Sequence, residues 1–329
     1  MNTRLPEQLR IAIEHETGKI ERRALRRAVA ELTELYQARD HSTPILPSEA
    51  HRAAYLAVRL PATYAACRRV FEEIRRLAPE ARTTSVLDLG AGPGTALWAA
   101  ADAFPNAGQA TAVDCDAAWL KLAKRLAAEG PYPLLAQAQW RAGDLVREEN
   151  YPQHDLVIVS YALGELSPSD REALVRRAWN SAAQFLVIVE AGTPRGFSSV
   201  HSARETLIAA CAKILAPCPN RLACPMAAAG DWCHFSQRVE RTSLHRQLKG
   251  ATLAYEDEKF SYLVASRDYA SSGLARLVRH PHKNPGHVQL RLCSAGQIEA
   301  RTVARSQKEA YKLARRAEWG ETWKGPPLP

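Results

Sequence analysis

The residues best suited to chemistry lie in two stretches. CPNRLACPMAAAGDWCHF (218–235) carries Cys218, Cys224 and Cys233, three of seven cysteines in the chain, separated by five and eight residues. Thiolates this close in sequence can surround one point, as a metal ion or an iron–sulfur cluster needs. The gaps are wider than the C-x-x-C knuckles of zinc ribbons. Cys218 and Cys224 are each followed by Pro, a feature of iron–sulfur loops. A fourth ligand must come from elsewhere: Cys293, ending HVQLRLC, is the best candidate, with His234 or His245 as zinc-compatible substitutes. Cys67 and Cys211 lie on apolar helical faces and Cys115 follows an apolar strand, so these three are expected to be small core residues.

The second stretch is VLDLGAGPG (86–94), where a strand enters a helix. Gly90, Gly92 and Gly94 permit a sharp turn and leave room for a ligand against the main chain. A dinucleotide fold would want G-x-G-x-x-G, but the spacing here is G-x-G-x-G, with Thr95 in the slot of the late glycine. Asp88, two residues before the loop, would repel a pyrophosphate and can engage a cationic amino-acid group. The stretch resembles the nucleotide loop of Rossmann-like S-adenosylmethionine methyltransferases, over roughly residues 85–195. That resemblance implies ribose binding by Asp114 at the end of the second strand, with Asp116 as the alternative, and adenine contact by Asp144 and Leu145 of AGDL.

No catalytic residue announces itself. The fourth strand ends in SYALGEL (160–166), which has neither the Asn-Pro of an N-P-P-Y amino methylase nor the Pro-Cys nucleophile of a cytosine-C5 enzyme. Tyr161 and Glu165 stand at the carboxyl end of that strand, where they either shape a substrate pocket or cap the next helix.

The elements that must hold these residues are legible from periodicity. Residues 4–38 read as helical, DHSTPILPSE (40–49) as a breaker-rich joint, and 51–78 as a helical block divided by Pro61. From 85 onward strands and helices alternate: SVLDLGAG, QATAVD, QAQWRAGDL, DLVIVSYAL and QFLVIVEAG are strands with helices between them. This predicts an α/β fold with a doubly wound parallel sheet. HSARETLIAACAKIL (201–215) reads as helix, HVQLRLC as strand and ARSQKEAYKLARRAEW as a basic helix. The expected organisation is a helical N-terminal region (1–80), a methyl-donor-binding domain (81–200) and a cysteine-rich basic region (201–329).

Composition narrows the partners. No apolar stretch of about 18 residues exists, so no membrane-spanning helix is expected. The first residues lack a secretory h-region, Glu7, Glu14 and Glu16 argue against a transit peptide, and an odd cysteine count argues against a disulfide framework. These features predict a reducing cytoplasm. The net charge of +9 is uneven: residues 234–329 carry +8, with 17 basic against 9 acidic side chains. That concentration suggests a polyanion, with nucleic acid the obvious candidate. RVERTSLHRQLKG offers Arg238, Arg241, His245, Arg246 and Lys249; the last helix adds Lys308, Lys312, Arg315 and Arg316, with Tyr311 and Trp319 interleaved to stack on bases. YEDEK (255–259) interrupts the basic region and can pair with it internally.

CPNRLACPM, DWCHFSQRVERTSLHRQLKG, YEDEKFSYLVASR, AYLAVRLPATYAA and VEAGTPRGF together resemble the methyltransferase-like proteins of the mitochondrial small ribosomal subunit and their bacterial relatives. The resemblance covers nearly the whole chain. It implies a [4Fe-4S] cluster on Cys218, Cys224, Cys233 and Cys293, with zinc as the alternative, and association with small-subunit ribosomal RNA during assembly. Asn220 departs from it, since relatives commonly have His after Cys-Pro. The expected function is a donor-binding, cluster-containing protein acting on that RNA as methyltransferase, assembly factor or both. The competing expectations are a ribosome-binding module with a vestigial pocket and structural zinc, and a small-molecule methyltransferase.

Overall fold

The computed structural model describes residues 3–37 and 48–326. In chain order its elements begin with four helices, α1 (Glu7–Gly18), α2 (Arg22–Gln37), α3 (Glu49–Val58) and α4 (Leu60–Leu77). The helical reading of 4–38 is interrupted at Lys19–Glu21, and the second block divides beside Pro61, which sits in the first turn of α4 where its missing N–H costs nothing. The joint at 40–49 lies almost wholly outside the described residues; Ser48 within it caps α3 by accepting from the His51 N–H.

The alternating segment follows: β1 (Ser85–Leu89), α5 (Thr95–Ala103), β2 (Gln109–Asp114), α6 (Ala117–Ala128), the single turn α7 (Pro133–Ala136), β3 (Gln139–Ala142), β4 (His154–Ser160), α8 (Pro168–Ser181), β5 (Ala182–Ala191) and α9 (Pro194–Ala209). Then come β6 (Lys213–Ala216), the turn α10 (Pro225–Ala228), β7 (Phe235–Glu240), α11 (Ser243–Lys249), β8 (Tyr255–Ser266), β9 (Arg276–Leu277), β10 (His282–Asn284), β11 (His287–Ser294), β12 (Gln297–Ala304) and α12 (Lys308–Arg316). Residues 201–215 are therefore helical only to Ala209; the apolar Ile214 and Leu215 enter a strand.

The large sheet has the order β3-β2-β1-β4-β5-β8-β6, with β7 also paired to β8. The first five strands are parallel, as the alternation predicts. β8 runs antiparallel to β5, and β6 and β7 run antiparallel to β8, so the sheet is mixed and draws strands from both sides of residue 200. Along β4, Leu156 and Ile158 join a core with α1, α4 and α5, while Val157 and Val159 face α8 and α9. Both faces being covered explains the unbroken apolar run. A separate small sheet, β10-β11-β12 with β9 against β11, packs on α12 through Leu290, Leu292, Ala310 and Ala314. α2 forms its own core with α3 and α11.

Candidate functional site

The glycine loop leaves β1 at the carboxyl edge of the sheet, the edge at which parallel α/β sheets gather ligands. Its three glycines have φ of +78°, +51° and +77°, and each has a different neighbour. A Cβ on Gly90 would stand 2.8 Å from Cβ of Ala162, with Leu145 just beyond. On Gly94 it would stand 2.7 Å from the Trp140 ring. Gly92 meets nothing within 4 Å and faces open space. Gly94 thus serves packing, and Gly92 is the glycine positioned to admit a ligand.

Asp114 ties the loop to the next turn. One of its oxygens accepts from the Gly92 N–H at 2.7 Å and the other from the Asp116 N–H at 2.8 Å. Asp116 caps α6 by accepting from the Ala118 N–H. Asp88 is wholly buried, and both of its carboxylate oxygens lack a hydrogen-bond partner. Burial, reinforced by the charge of Asp114, pushes its pKa up to about 8. An orphaned buried acid beside an open glycine fits a cationic ligand group, whose charge would offset the desolvation. Asp144 is exposed and accepts from the Val146 N–H at 2.8 Å; Leu145 is half-buried, and its carbonyl accepts from Arg177. Loop, Asp88, Asp114 and Leu145 are therefore brought together, with Asp144 on the rim.

Beyond β4 the chain turns through Tyr161 at φ 55°, an uncommon conformation for an aromatic residue. The Tyr161 hydroxyl donates to Glu258 of β8 at 3.1 Å, and the Arg59 guanidinium donates to the same carboxylate. Glu165 is exposed on the following turn. Glu190, at the end of β5, was not singled out from sequence; it accepts from the Leu163 N–H at 2.8 Å, and burial raises its pKa to about 7.

Cys218, Cys224, Cys233 and Cys293 line one cavity of about 50 Å3, together with Arg204 and Arg276. A single water needs about 10–15 Å3 on this measure, so the space suits a compact group larger than one ion. Among the described residues no three His, Cys, Asp or Glu side chains converge closely enough to hold a metal ion as they stand. Burial raises the Cys218 and Cys233 thiols and pushes Cys293 up to about 12. Arg204, 4% exposed, donates to the carbonyls of Asn220 and Leu222 in the cysteine loop. Arg276 donates to the Pro217 and Gly320 carbonyls. The four soft donors form a set suited to a thiolate-bound cluster, and the two guanidiniums, paired with Glu205 and Glu73, hold the surrounding carbonyls.

Neither histidine suggested for zinc lines this cavity. His234 stacks on Trp232 and meets Trp319 edge-on, with centroids 5.5 and 4.9 Å apart. His245 is fully buried, 3.6 Å from Glu256, and burial lowers its pKa to about 4. Cys67 is buried as expected, but Cys115 and Cys211 are exposed, because each occupies a turn just past the end of its element. Arg204 and Arg276 were also missed; the available signals were an arginine on the apolar face of HSARETLIAA and one amid LARLV.

The basic segment is largely neutralised from within. Arg238 pairs with Asp257 at 2.8 Å and Arg241 with Glu256 at 3.0 Å, while Lys249 stands 3.7 Å from that same carboxylate. The internal pairing follows from β7–β8 register, which sets Arg238 opposite Asp257. Trp319 is wedged between His234 and His280 rather than presented for stacking. Lys308, Arg315 and Arg316 are exposed on α12, whereas Lys312 pairs with Glu309.

Strand order, glycine loop and terminal acids define a Rossmann-like α/β fold of the methyltransferase class. The chain belongs to the family described as mitochondrial small ribosomal subunit Rsm22, whose sequence model matches residues 49–324. It is 30% identical over 286 residues to the human mitochondrial ribosome assembly protein METTL17, covering 81% of this chain and 61% of that protein. It is 26% identical over 323 residues to the mitochondrial Rsm22-cox11 tandem protein 2 of Schizosaccharomyces pombe, covering 82% and 42%. The chain thus spans less than two thirds of the length of these relatives. A solved magnesium protoporphyrin IX methyltransferase from Synechocystis with bound SAH aligns at TM-score 0.42 and 13% identity, over 64% of this chain and 85% of that one.

The cytoplasmic expectation is overturned by these relatives, which are mitochondrial, as is the family description. The cysteine argument separates reducing from oxidising compartments, and the mitochondrial matrix is reducing as the cytosol is.

Proposed function

We propose that this chain binds S-adenosylmethionine at the carboxyl edge of β1 and β2, holds a [4Fe-4S] cluster on Cys218, Cys224, Cys233 and Cys293, and acts on the small ribosomal subunit through its RNA. The observation that carries the reading is the gathering of the four cysteines in one cavity, although Cys293 comes from the small sheet and the other three from the loop preceding β7. Membership of the Rsm22 family supports the ribosomal part.

In the donor pocket, Asp88 would face the cationic amino group, Asp114 the ribose hydroxyls, and Leu145 the base side over Gly90. S-adenosylmethionine, when bound, supplies an electrophilic methyl group. The orphaned Asp88 favours a ligand that brings positive charge. In the cysteine cavity, the four thiolates would hold the cluster, while Arg204 and Arg276, each paired with a carboxylate, would brace the loop carbonyls around it. Its role there is to fix the small sheet against the large one, as structural metals fix modules with little core of their own.

One observation favours donor binding without methyl transfer. At the end of β4, where an acceptor would approach, the Tyr161 hydroxyl is taken by Glu258 and Arg59 closes on the same carboxylate.

The test is anaerobic purification with visible spectroscopy and iron, sulfide and zinc analysis, on the parent chain and Cys293→Ser. Broad absorption near roughly 400 nm, with about four iron and four sulfide lost in the variant, is the expected result. Stoichiometric zinc without sulfide would sink the cluster. Incubating the loaded protein with small-subunit particles and labelled donor then separates methyl transfer from binding alone.

A further inference from the structure

Arg238, Arg241 and Lys249 of the basic segment are paired with Asp257 and Glu256, and a cluster of uncompensated arginines lies beside that segment on α2. Arg22, Arg23, Arg26 and Arg27 are all exposed on the first two turns of α2. At 3.6 residues per turn they fall within an arc of about 140°, opposite the stripe of Leu25, Val29 and Leu32 that is buried against α3 and α11. Among the described residues none of the four is within ion-pair distance of a carboxylate, and Glu31, one turn on, is bonded to His51 at 2.8 Å. Arg22 instead donates to Gln247 of α11 at 3.4 Å, which joins α11 to the edge of this face. Four guanidiniums thus share one surface of α2, with Gln247 of α11 at its edge.

This arrangement opposes local stability. Cations in the first turn of a helix face the positive end of the macrodipole. Arg22 with Arg26, and Arg23 with Arg27, are like-charge pairs at i,i+4. α2 has no acidic residue in its first turn to offset them. A surface that costs its own helix stability is explained by an anionic partner.

We propose that the α2–α11 face docks the phosphate backbone of folded RNA, a deepening that rests on the reading of this chain as a protein of the small ribosomal subunit RNA. Four guanidiniums over two turns of one helix match closely spaced phosphates, to which Arg binds bidentately. An anionic membrane fits less well: an interfacial helix needs an apolar face to insert, and that of α2 is already buried in the protein. α2 also precedes the residues matched by the family model, so the surface is read from this chain itself.

The experiment uses the full chain, a folded transcript of small-subunit ribosomal RNA, and salt between roughly 50 and 200 mM. The variants are R22Q/R23Q/R26Q/R27Q, the same four positions changed to Lys, and K308Q/R315Q/R316Q on α12. The Gln variant should bind at least tenfold more weakly, and its slope of log affinity against log salt should be shallower by about 3, the Lys variant recovering most of that slope. Its thermal midpoint should be equal to or above that of the parent, since removing the like charges relieves the helix. Parent binding with a slope unchanged in the Gln variant overturns this inference while leaving the RNA reading intact. A parent chain that shows no salt-dependent RNA binding sinks that reading and this inference with it. Loss of binding to phosphatidylserine vesicles, with RNA affinity unchanged, would reassign the face to lipid.

Discussion

Arg276 closes on Glu73 across 203 positions of sequence, both side chains about 2% exposed, so that β9 is pinned to α4 by a buried ion pair. The same guanidinium holds the Pro217 carbonyl ahead of the cysteine loop and the Gly320 carbonyl near the end of the described chain. Removing Arg276 leaves Glu73 its contacts with Arg76 and Arg69 but takes the donor from two backbone carbonyls, and breaking a buried pair costs up to about 3–5 kcal/mol. Arg276→Met should therefore lower the thermal midpoint by several degrees. Glu73→Met combined with Arg276→Met should recover only the share of the loss that comes from the ion pair, because apolar replacement of both partners is often neutral while the Pro217 and Gly320 carbonyls still lack their donor. A double variant no better than the single would refute the pairing argument.

The same carboxylate predicts an acid limb. Burial would raise Glu73, but hydrogen bonds from Arg76 and the charge of Arg276 outweigh it and bring the pKa from 4.5 to about 2. A depressed folded-state value means the stabilisation is present above 4.5 and is lost as pH falls from there through 2. The shift corresponds to roughly 3 kcal/mol at 1.36 kcal/mol per unit. Melting curves between pH 5 and 2 should fall less steeply for Glu73→Gln than for the parent.

Asp88 predicts the opposite slope. Its folded-state pKa of about 8 is raised, so its contribution is most favourable when protonated and declines as pH rises from 3.8 towards 8. Asp88→Asn should melt several degrees higher than the parent at pH 8, because the rise from 3.8 to about 8 corresponds to several kcal/mol. The two should coincide near pH 4. Titration calorimetry should show S-adenosylmethionine binding weakened at least tenfold in the variant. A variant that binds the donor normally would remove Asp88 from the site.

Two glycines that look equivalent in sequence should separate by assay. Gly94→Ala drives a methyl into Trp140 and should lower the thermal midpoint by several degrees. Gly92→Val enters open space, so its stability cost is limited to the strain of a positive φ, about 1 kcal/mol. Its donor affinity should fall by more than tenfold.

The strands that position the donor loop were legible because β1, β2, β4 and β5 are buried on both faces and read as apolar runs. β8 was not, since YEDEK, which pairs with β7, hides the strand whose apolar half, FSYLVAS, pairs with β5. Cys293 could be nominated by elimination among the cysteines, but no local signal reveals that β11 meets the loop at Cys218. The internal pairing of YEDEK with the basic segment was legible, but which cations it takes was not, because counting charges along the chain cannot see the β7–β8 register that sets Arg238 against Asp257.

The place of β8 between β5 and β6 bears on how the chain is made. β5 ends at Ala191 and its outer neighbour begins only at Tyr255, so about 60 residues must be translated before that edge is covered. At about 5–20 residues per second this leaves Val187, Ile188 and Val189 on an open strand for several seconds. An apolar edge exposed that long invites pairing with other nascent chains. Slower translation through the interval that ends at Ser266 should therefore lower the yield of folded protein, which expression with slow codons placed there would measure.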